Sequence, residues 1–420
     1  MIRAAVELFL PLSNDIINVP SVVGGWHENP ILGRDVELIH ITESMSPTNE
    51  LSISCVNLIV HVYQTVDSGF EDQFASGGEE GDEAPVIATV CELPSRVWEG
   101  LWDTLFYEED IKSRLLSYIY ATLLLSDANV DPNVISWNRS VLLHGPSGTG
   151  KTSLARALAQ KLAIRLQHRY TAGARLMELN AHSLFSRWFS ESGKLVQRAF
   201  AGIMEMADDP DLFLIVLLDE VESLTVARTA AMSGTEPGDA MRVVNALLVQ
   251  LDKLKLKRNV LIISTSNLPD AIDSAYVDRA DIVQYVGLPS REAIYFILQS
   301  CVAELVRTEI IRPIETLSVQ EAATSSVNVE LIQPMRTSDS EQVRSAKASV
   351  QLYSLASMCI GKSGRSLRRL PVIACARHVG FASIGRNGAR DISVWLTAME
   401  RAITEHSESQ QHVRANIKTE

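Results

Sequence analysis

Gly145-Pro146-Ser147-Gly148-Thr149-Gly150-Lys151-Thr152 stands between a short apolar run, Val141 to His144, and a segment from Ser153 to Ala163 in which Leu and Ala recur at helical spacing. A buried strand, a glycine loop and a helix in that order are the setting in which this Walker A spacing forms a phosphate-binding loop. The three glycines let backbone N–H groups turn inward around phosphate oxygens, at a helix N-terminus whose dipole favours anions. On this reading Gly145, Pro146, Ser147, Gly148, Thr149, Gly150, Lys151, Thr152 and Ser153 form a nucleotide cradle. Lys151 supplies a point charge to the β- and γ-phosphates, and the Thr152 hydroxyl is placed to hold Mg²⁺. The expected ligands are ATP and Mg²⁺.

Two further apolar strands end in polar residues. Leu212-Phe-Leu-Ile-Val-Leu-Leu-Asp-Glu220 places two carboxylates at the carboxyl edge of a sheet, where ligands of open α/β folds bind. Alone such a pair is often only a loop start, but a phosphate loop creates the need for a metal ligand and a base. Asp219 is then the metal ligand, and Glu220 the group that polarises the attacking water. Val260-Leu-Ile-Ile-Ser-Thr-Ser-Asn267 ends in an amide suited to hydrogen-bond the γ-phosphate and the water, or else to open the turn at Leu268-Pro269-Asp270. Arg279, in Val277-Asp-Arg-Ala-Asp281, either stabilises charge on a neighbouring subunit's nucleotide or pairs locally with Asp278 or Asp281.

With 420 residues the chain is long enough for two or three domains. Its net charge of −13 argues against non-specific nucleic-acid binding, which needs a basic face. No apolar run approaches the length of a membrane span. Met1 to Leu10 is briefly like a signal peptide, but Glu7 interrupts it and no small-residue cleavage site follows, so a first strand is expected there. Five scattered cysteines fit reduced thiols rather than a disulfide or metal framework.

Three regions are expected. Residues 1–96 read as a separate N-terminal α+β domain, strand-like over Leu51 to Tyr63, with a solvated acidic loop at 76–85. Residues 97–289 hold helical segments from Val97 to Leu125, then a nucleotide-binding α/β core. Its buried strands Val141–Leu143, Phe213–Leu218 and Val260–Ser264 alternate with helices, which implies a parallel sheet covered on both faces. Residues 290–420 read as a helical domain, with a polar, Ser/Thr-rich insertion at 315–346 given no fixed structure and a tail fraying after His406.

Together these features resemble an AAA+ P-loop NTPase. Ser186-Arg-Trp-Phe-Ser-Glu-Ser-Gly-Lys194, Leu218-Asp-Glu-Val-Glu-Ser-Leu-Thr225, Gly234-Thr-Glu-Pro237, Arg242-Val-Val-Asn-Ala246 and Val277 to Asp281 narrow the resemblance to the pachytene checkpoint ATPases. These remodel HORMA-domain proteins of meiotic chromosome axes and the spindle checkpoint. The likeness is dense from Trp98 through Pro289, continues in Ser363-Gly-Arg-Ser-Leu-Arg-Arg-Leu-Pro371, and departs at Ser147, where a second proline is usual.

The resemblance implies that Trp188, with Phe189, forms an aromatic pore loop gripping an extended peptide by area and stacking; two adjacent aromatics can also be core. It implies that Arg279 is an arginine finger acting in a homo-hexamer, and that Arg365 is a sensor touching the γ-phosphate from the small domain rather than one of a solvated basic cluster with Arg368 and Arg369. The implied activity is ATP hydrolysis coupled to partial unfolding of a HORMA-domain client, recruited through the N-terminal region or a HORMA adaptor. The implied places are nucleus, chromosomes, cytoplasm and kinetochore. A DNA-acting AAA+ machine would share every nucleotide-site residue, and a non-hydrolysing, nucleotide-gated scaffold is the non-enzyme alternative.

Overall fold

The first residues form a helix, Ile2–Ser13, not the expected strand. Ile2, Ala5, Val6, Phe9 and Leu10 recur at three- and four-residue steps, so a helix gathers them on one stripe against the N-terminal core while Glu7 stays exposed. The β-branched run Leu51 to Tyr63 also yields little strand. The N-terminal region holds β1 (Ile16–Asn18), β2 (Ser21–Val22), β3 (His40–Ile41) and β4 (Glu50–Ser52), paired as two small antiparallel ribbons, β1 with β4 and β2 with β3. The computed structural model describes all residues except 14, 45–49, 68, 75–85, 108–109, 132, 182–193, 224–238, 269–271, 273, 328–340, 380–389 and 418–420. The acidic 76–85 loop and the Trp188-Phe189 pair therefore lie outside the described residues.

A seven-stranded sheet carries the nucleotide core. Its strands are β5 (Glu71–Phe74), β6 (Val86–Leu93), β7 (Ser140–His144), β8 (Ala174–Asn180), β9 (Phe213–Asp219), β10 (Val260–Ser266) and β11 (Ile282–Tyr285), in the order β11-β7-β10-β9-β8-β6-β5. From β11 to β8 every pairing is parallel; β6 and β5 add an antiparallel edge. The sheet is thus mixed rather than wholly parallel, and the 1–96 segment, expected as a separate domain, hands its last two strands to it.

Along β9 the side chains alternate between two cores, as a strand's period of two requires. Leu214, Val216 and Leu218 join the cluster under the helices Lys194–Ala207 and Asp239–Lys255. Phe213, Ile215 and Leu217 join the cluster under the helices Ile111–Asp127 and Lys151–Leu166. Burial on both faces is why these strands read as unbroken apolar runs. In register, Ser266 lies opposite His144, so β7, β9 and β10 deliver their ends to one edge.

Beyond Pro289 the chain is a helical domain around Tyr295, Leu298, Leu352, Trp395 and Leu396. Part of the 315–346 stretch, expected without fixed structure, is helical: Val319–Val327 and the start of Glu341–Met358. Serines in and just after it mislead because they bond backbone groups of the preceding segment. The Ser349 hydroxyl accepts from the Leu317 N–H at 2.9 Å, and Ser345 donates to the Glu315 carbonyl. The last helix, Ile392–Ile417, likewise runs on past His406, where fraying was expected.

Glu43 is a tie between the N-terminal unit and the core, beside the Arg96–Glu37 ion pair and the Lys161–Thr42 hydrogen bond. Glu43 accepts from the Trp102 indole at 2.7 Å and pairs with Lys161 and Arg165 on the helix that starts at the phosphate loop. These cations hold its carboxyl below the usual range despite burial, which opposes them. No helix among the described residues is long and apolar enough to cross a membrane.

Candidate active site

The loop after β7 folds around its glycines. A side chain at Gly148, with φ +77°, would place its Cβ 2.8 Å from the Ser363 hydroxyl and 3.2 Å from the Arg365 Cβ. Gly150, with φ +96°, leaves room for the Tyr107 hydroxyl, 3.3 Å from where a Cβ would stand. That hydroxyl is buried without a hydrogen-bond partner among the described residues, a donor beside the loop; burial raises its pKa well above the ordinary value.

Lys151 is buried and donates to the carbonyls of Gly145 and Pro146, both at 2.8 Å. Burial lowers its pKa, opposed by Glu222 and Asp219 and reinforced by Arg365. Thr152, in the first helical turn with Ser153, donates to Asp219 at 3.2 Å from the end of β9, and Thr265 on β10 donates to the same carboxylate. Three oxygen-bearing side chains from three elements thus meet beside the loop, a donor set suited to a hard cation.

Glu220 follows with φ +61°, a left-handed conformation that costs about 1–2 kcal/mol outside glycine. Its N–H donates to the Thr265 hydroxyl at 3.4 Å, and its carbonyl accepts from Ser223 at 2.6 Å. The turn brings Glu222 across to β10, where one carboxylate oxygen accepts from both the backbone N–H and the side-chain amide of Asn267, each at 3.2 Å.

The helical domain reaches the same place. Ser363 caps the helix Gly364–Ala374, and the Arg365 N–H donates to the Gly148 carbonyl at 3.1 Å. A strap before the first core helix ties the two domains as well: Phe106 stacks on Phe296 with ring centroids 4.8 Å apart, and Arg368 donates to the Thr104 carbonyl at 2.7 Å. Arg279 makes its contacts apart from this cluster. Its guanidinium pairs with Asp252 at 2.9 and 3.0 Å and donates to the Ala275 carbonyl at 2.7 Å. A local partner is therefore Asp252, which the sequence reading did not name; Asp281 is held by Tyr118 and Asn138.

So the structure gathers Lys151, Thr152, Asp219, Glu220, Asn267 and the Arg365 backbone around one loop, and sets Arg279 elsewhere. Three contributors, and the Asp252 partner of Arg279, escaped the sequence reading. Glu222 lies two residues past the recognised acidic pair, and Thr265 two before the recognised Asn. Tyr107 and Asp252 carry no local signal.

A glycine loop at the head of a helix, backed by a strand-end carboxylate in a mostly parallel sheet and topped by a helical lid, defines an ATPase of the AAA class. Family models divide the chain in the same terms: "ATPase family associated with various cellular activities (AAA)" over residues 141–288, "TRIP13-like, AAA+ ATPase lid C-terminal domain" over 290–407 and "TRIP13 N-terminal domain" over 1–68. Pachytene checkpoint protein 2 homolog of Homo sapiens is 42% identical over 411 residues, covering 96% of this chain and 90% of that protein; the Danio rerio homolog is 43% identical over 384 residues, covering 91% and 85%. The solved structure of C. elegans PCH-2 superposes with a TM-score of 0.70 at 30% identity, covering 96% and 94%. The chain belongs to the TRIP13-like, pachytene checkpoint family of AAA ATPases.

Proposed function

We propose that this ATPase works as a homo-hexamer that spends Mg²⁺-dependent ATP hydrolysis on opening a closed HORMA-domain protein, in nucleus and cytoplasm, at chromosome axes and the kinetochore. The support is that the likeness to pachytene checkpoint proteins extends through the N-terminal region and the lid, not the nucleotide core alone. A stable client fold costs several kcal/mol to disrupt, which ATP turnover coupled to pulling can supply.

Thr152 and Asp219 would hold Mg²⁺, whose charge offsets that developing on the β- and γ-phosphates. The loop N–H groups bind phosphate oxygens, and Lys151 leaves the Gly145 and Pro146 carbonyls for them. Glu220 takes the proton from the attacking water, which Asn267 orients. Arg365 reports the γ-phosphate to the lid, Arg279 completes a neighbour's site, and Trp188 and Phe189 grip the client, directly or after delivery by a HORMA adaptor.

The test converts a purified closed HORMA-domain protein and reads its conformers by ion-exchange chromatography. Wild type with ATP should convert it, turnover per chain should rise with protein concentration, and Arg279→Ala should lose both while still binding ATP. Trp188→Ala should hydrolyse ATP without converting the client. Brisk ATP turnover that leaves every closed HORMA client closed would defeat the reading.

A further inference from the structure

Glu222 is a carboxylate whose two oxygens meet different fates. Oε1 accepts two hydrogen bonds, both from Asn267. Oε2 is buried with no hydrogen-bond partner among the described residues, so its desolvation is not offset by a bond there. A residue kept for stability alone would be better served by an amide or an apolar side chain there. Its charge also bears on Lys151, the lysine of the phosphate loop.

The geometry fixes an orientation. An Asn amide carries two donors on Nδ2 and an acceptor on Oδ1. With Nδ2 and the backbone N–H of Asn267 both given to one Glu222 oxygen, the amide plane is pinned at its nitrogen end, and Oδ1 is turned away from Glu222 as an acceptor. An acceptor at this strand end suits an O–H of the attacking water. We propose that Glu222 is the positioning residue for Asn267, holding its amide in the one orientation that aligns the water for attack. This rests on the reading of Asn267 as the water-orienting residue and is independent of which client the enzyme opens.

Misplacing a positioned group by about 1 Å can cost about 100-fold in rate. Glu222→Ala should therefore lower kcat by about 10–100-fold, with KM and ATP affinity changed by less than about threefold. Glu222→Gln, which keeps an oxygen for Asn267 to bond, should recover to within about fivefold of wild type. The double variant Glu222→Ala/Asn267→Ala should be no slower than Asn267→Ala alone, because the first residue acts only through the second. Should Glu222→Ala not fold, Glu222→Asp withdraws the oxygen by one methylene and serves in the same cycle. Multiplying losses in the double variant, or a Glu222→Ala enzyme as fast as wild type, would overturn the proposal. An Asn267→Ala enzyme with undiminished turnover would instead remove the role of Asn267 on which it rests.

Discussion

Glu220 occupies a left-handed backbone conformation at the residue assigned the base, the kind of local strain that persists where surrounding structure over-determines it. Backbone and side chain can be separated there. Glu220→Gln keeps shape and should bind ATP while turnover falls by about 10²–10⁴-fold, the range for a lost general base. Glu220→Gly removes the base and also the steric cost, so its thermal midpoint should rise, by up to about 1 kcal/mol of stability. A lowered midpoint would mean that the side chain anchors the turn. The residues legible in advance, from the glycine loop to Asp219, Glu220 and Asn267, all end or follow apolar strands, so local pattern sufficed. Asp252 reaches Arg279 across 27 positions, and Tyr107 reaches Gly150, only by folding, which no local pattern records.

At the scale of elements, strands buried on both faces were readable because their apolar runs are continuous. The interior strands β6 and β8, with Glu92, Arg175 and Glu178 among their residues, gave no such run, and the opening helix was hidden by a glutamate on its exposed side. The meeting of loop and lid was not legible either, since it depends on Gly148 having no side chain. Gly148→Ala would put a methyl group 2.8 Å from the Ser363 hydroxyl on an unfavourable backbone. ATP affinity should fall by at least tenfold, and the helix Gly364–Ala374 should gain amide exchange in its first turn. Wild-type exchange with wild-type affinity would show that the lid does not rest on this glycine.

For the molecule as a whole, the seam between the N-terminal unit and the core holds an open pocket of about 270 Å³ lined by Pro20, Glu43, Trp102, Phe106 and Lys112. Lys112 lies 4.9 Å over the Trp102 ring, and burial, opposed by Asp103 and Glu43, lowers its pKa from 10.5 to about 8. Between those values the unfolded chain holds a proton that the folded chain has released, so this group adds stability as pH rises and withdraws it as pH falls through about 8. Lys112→Met has no such proton. The gap between its thermal midpoint and that of wild type should move in favour of wild type as pH rises from about 7.5 to about 10. A constant gap would show that Lys112 titrates alike in both states.

The strap from Thr104 to Tyr107 touches both partners of the nucleotide cleft, the glycine loop through Tyr107 and the lid through Phe106 and the Thr104 carbonyl. Linkage then makes a symmetrical demand: whatever factor lid docking imposes on nucleotide affinity, nucleotide must impose on lid docking. Cutting the Phe106–Phe296 stack would thus weaken communication in both directions at once, and neither domain could be tuned without retuning the other.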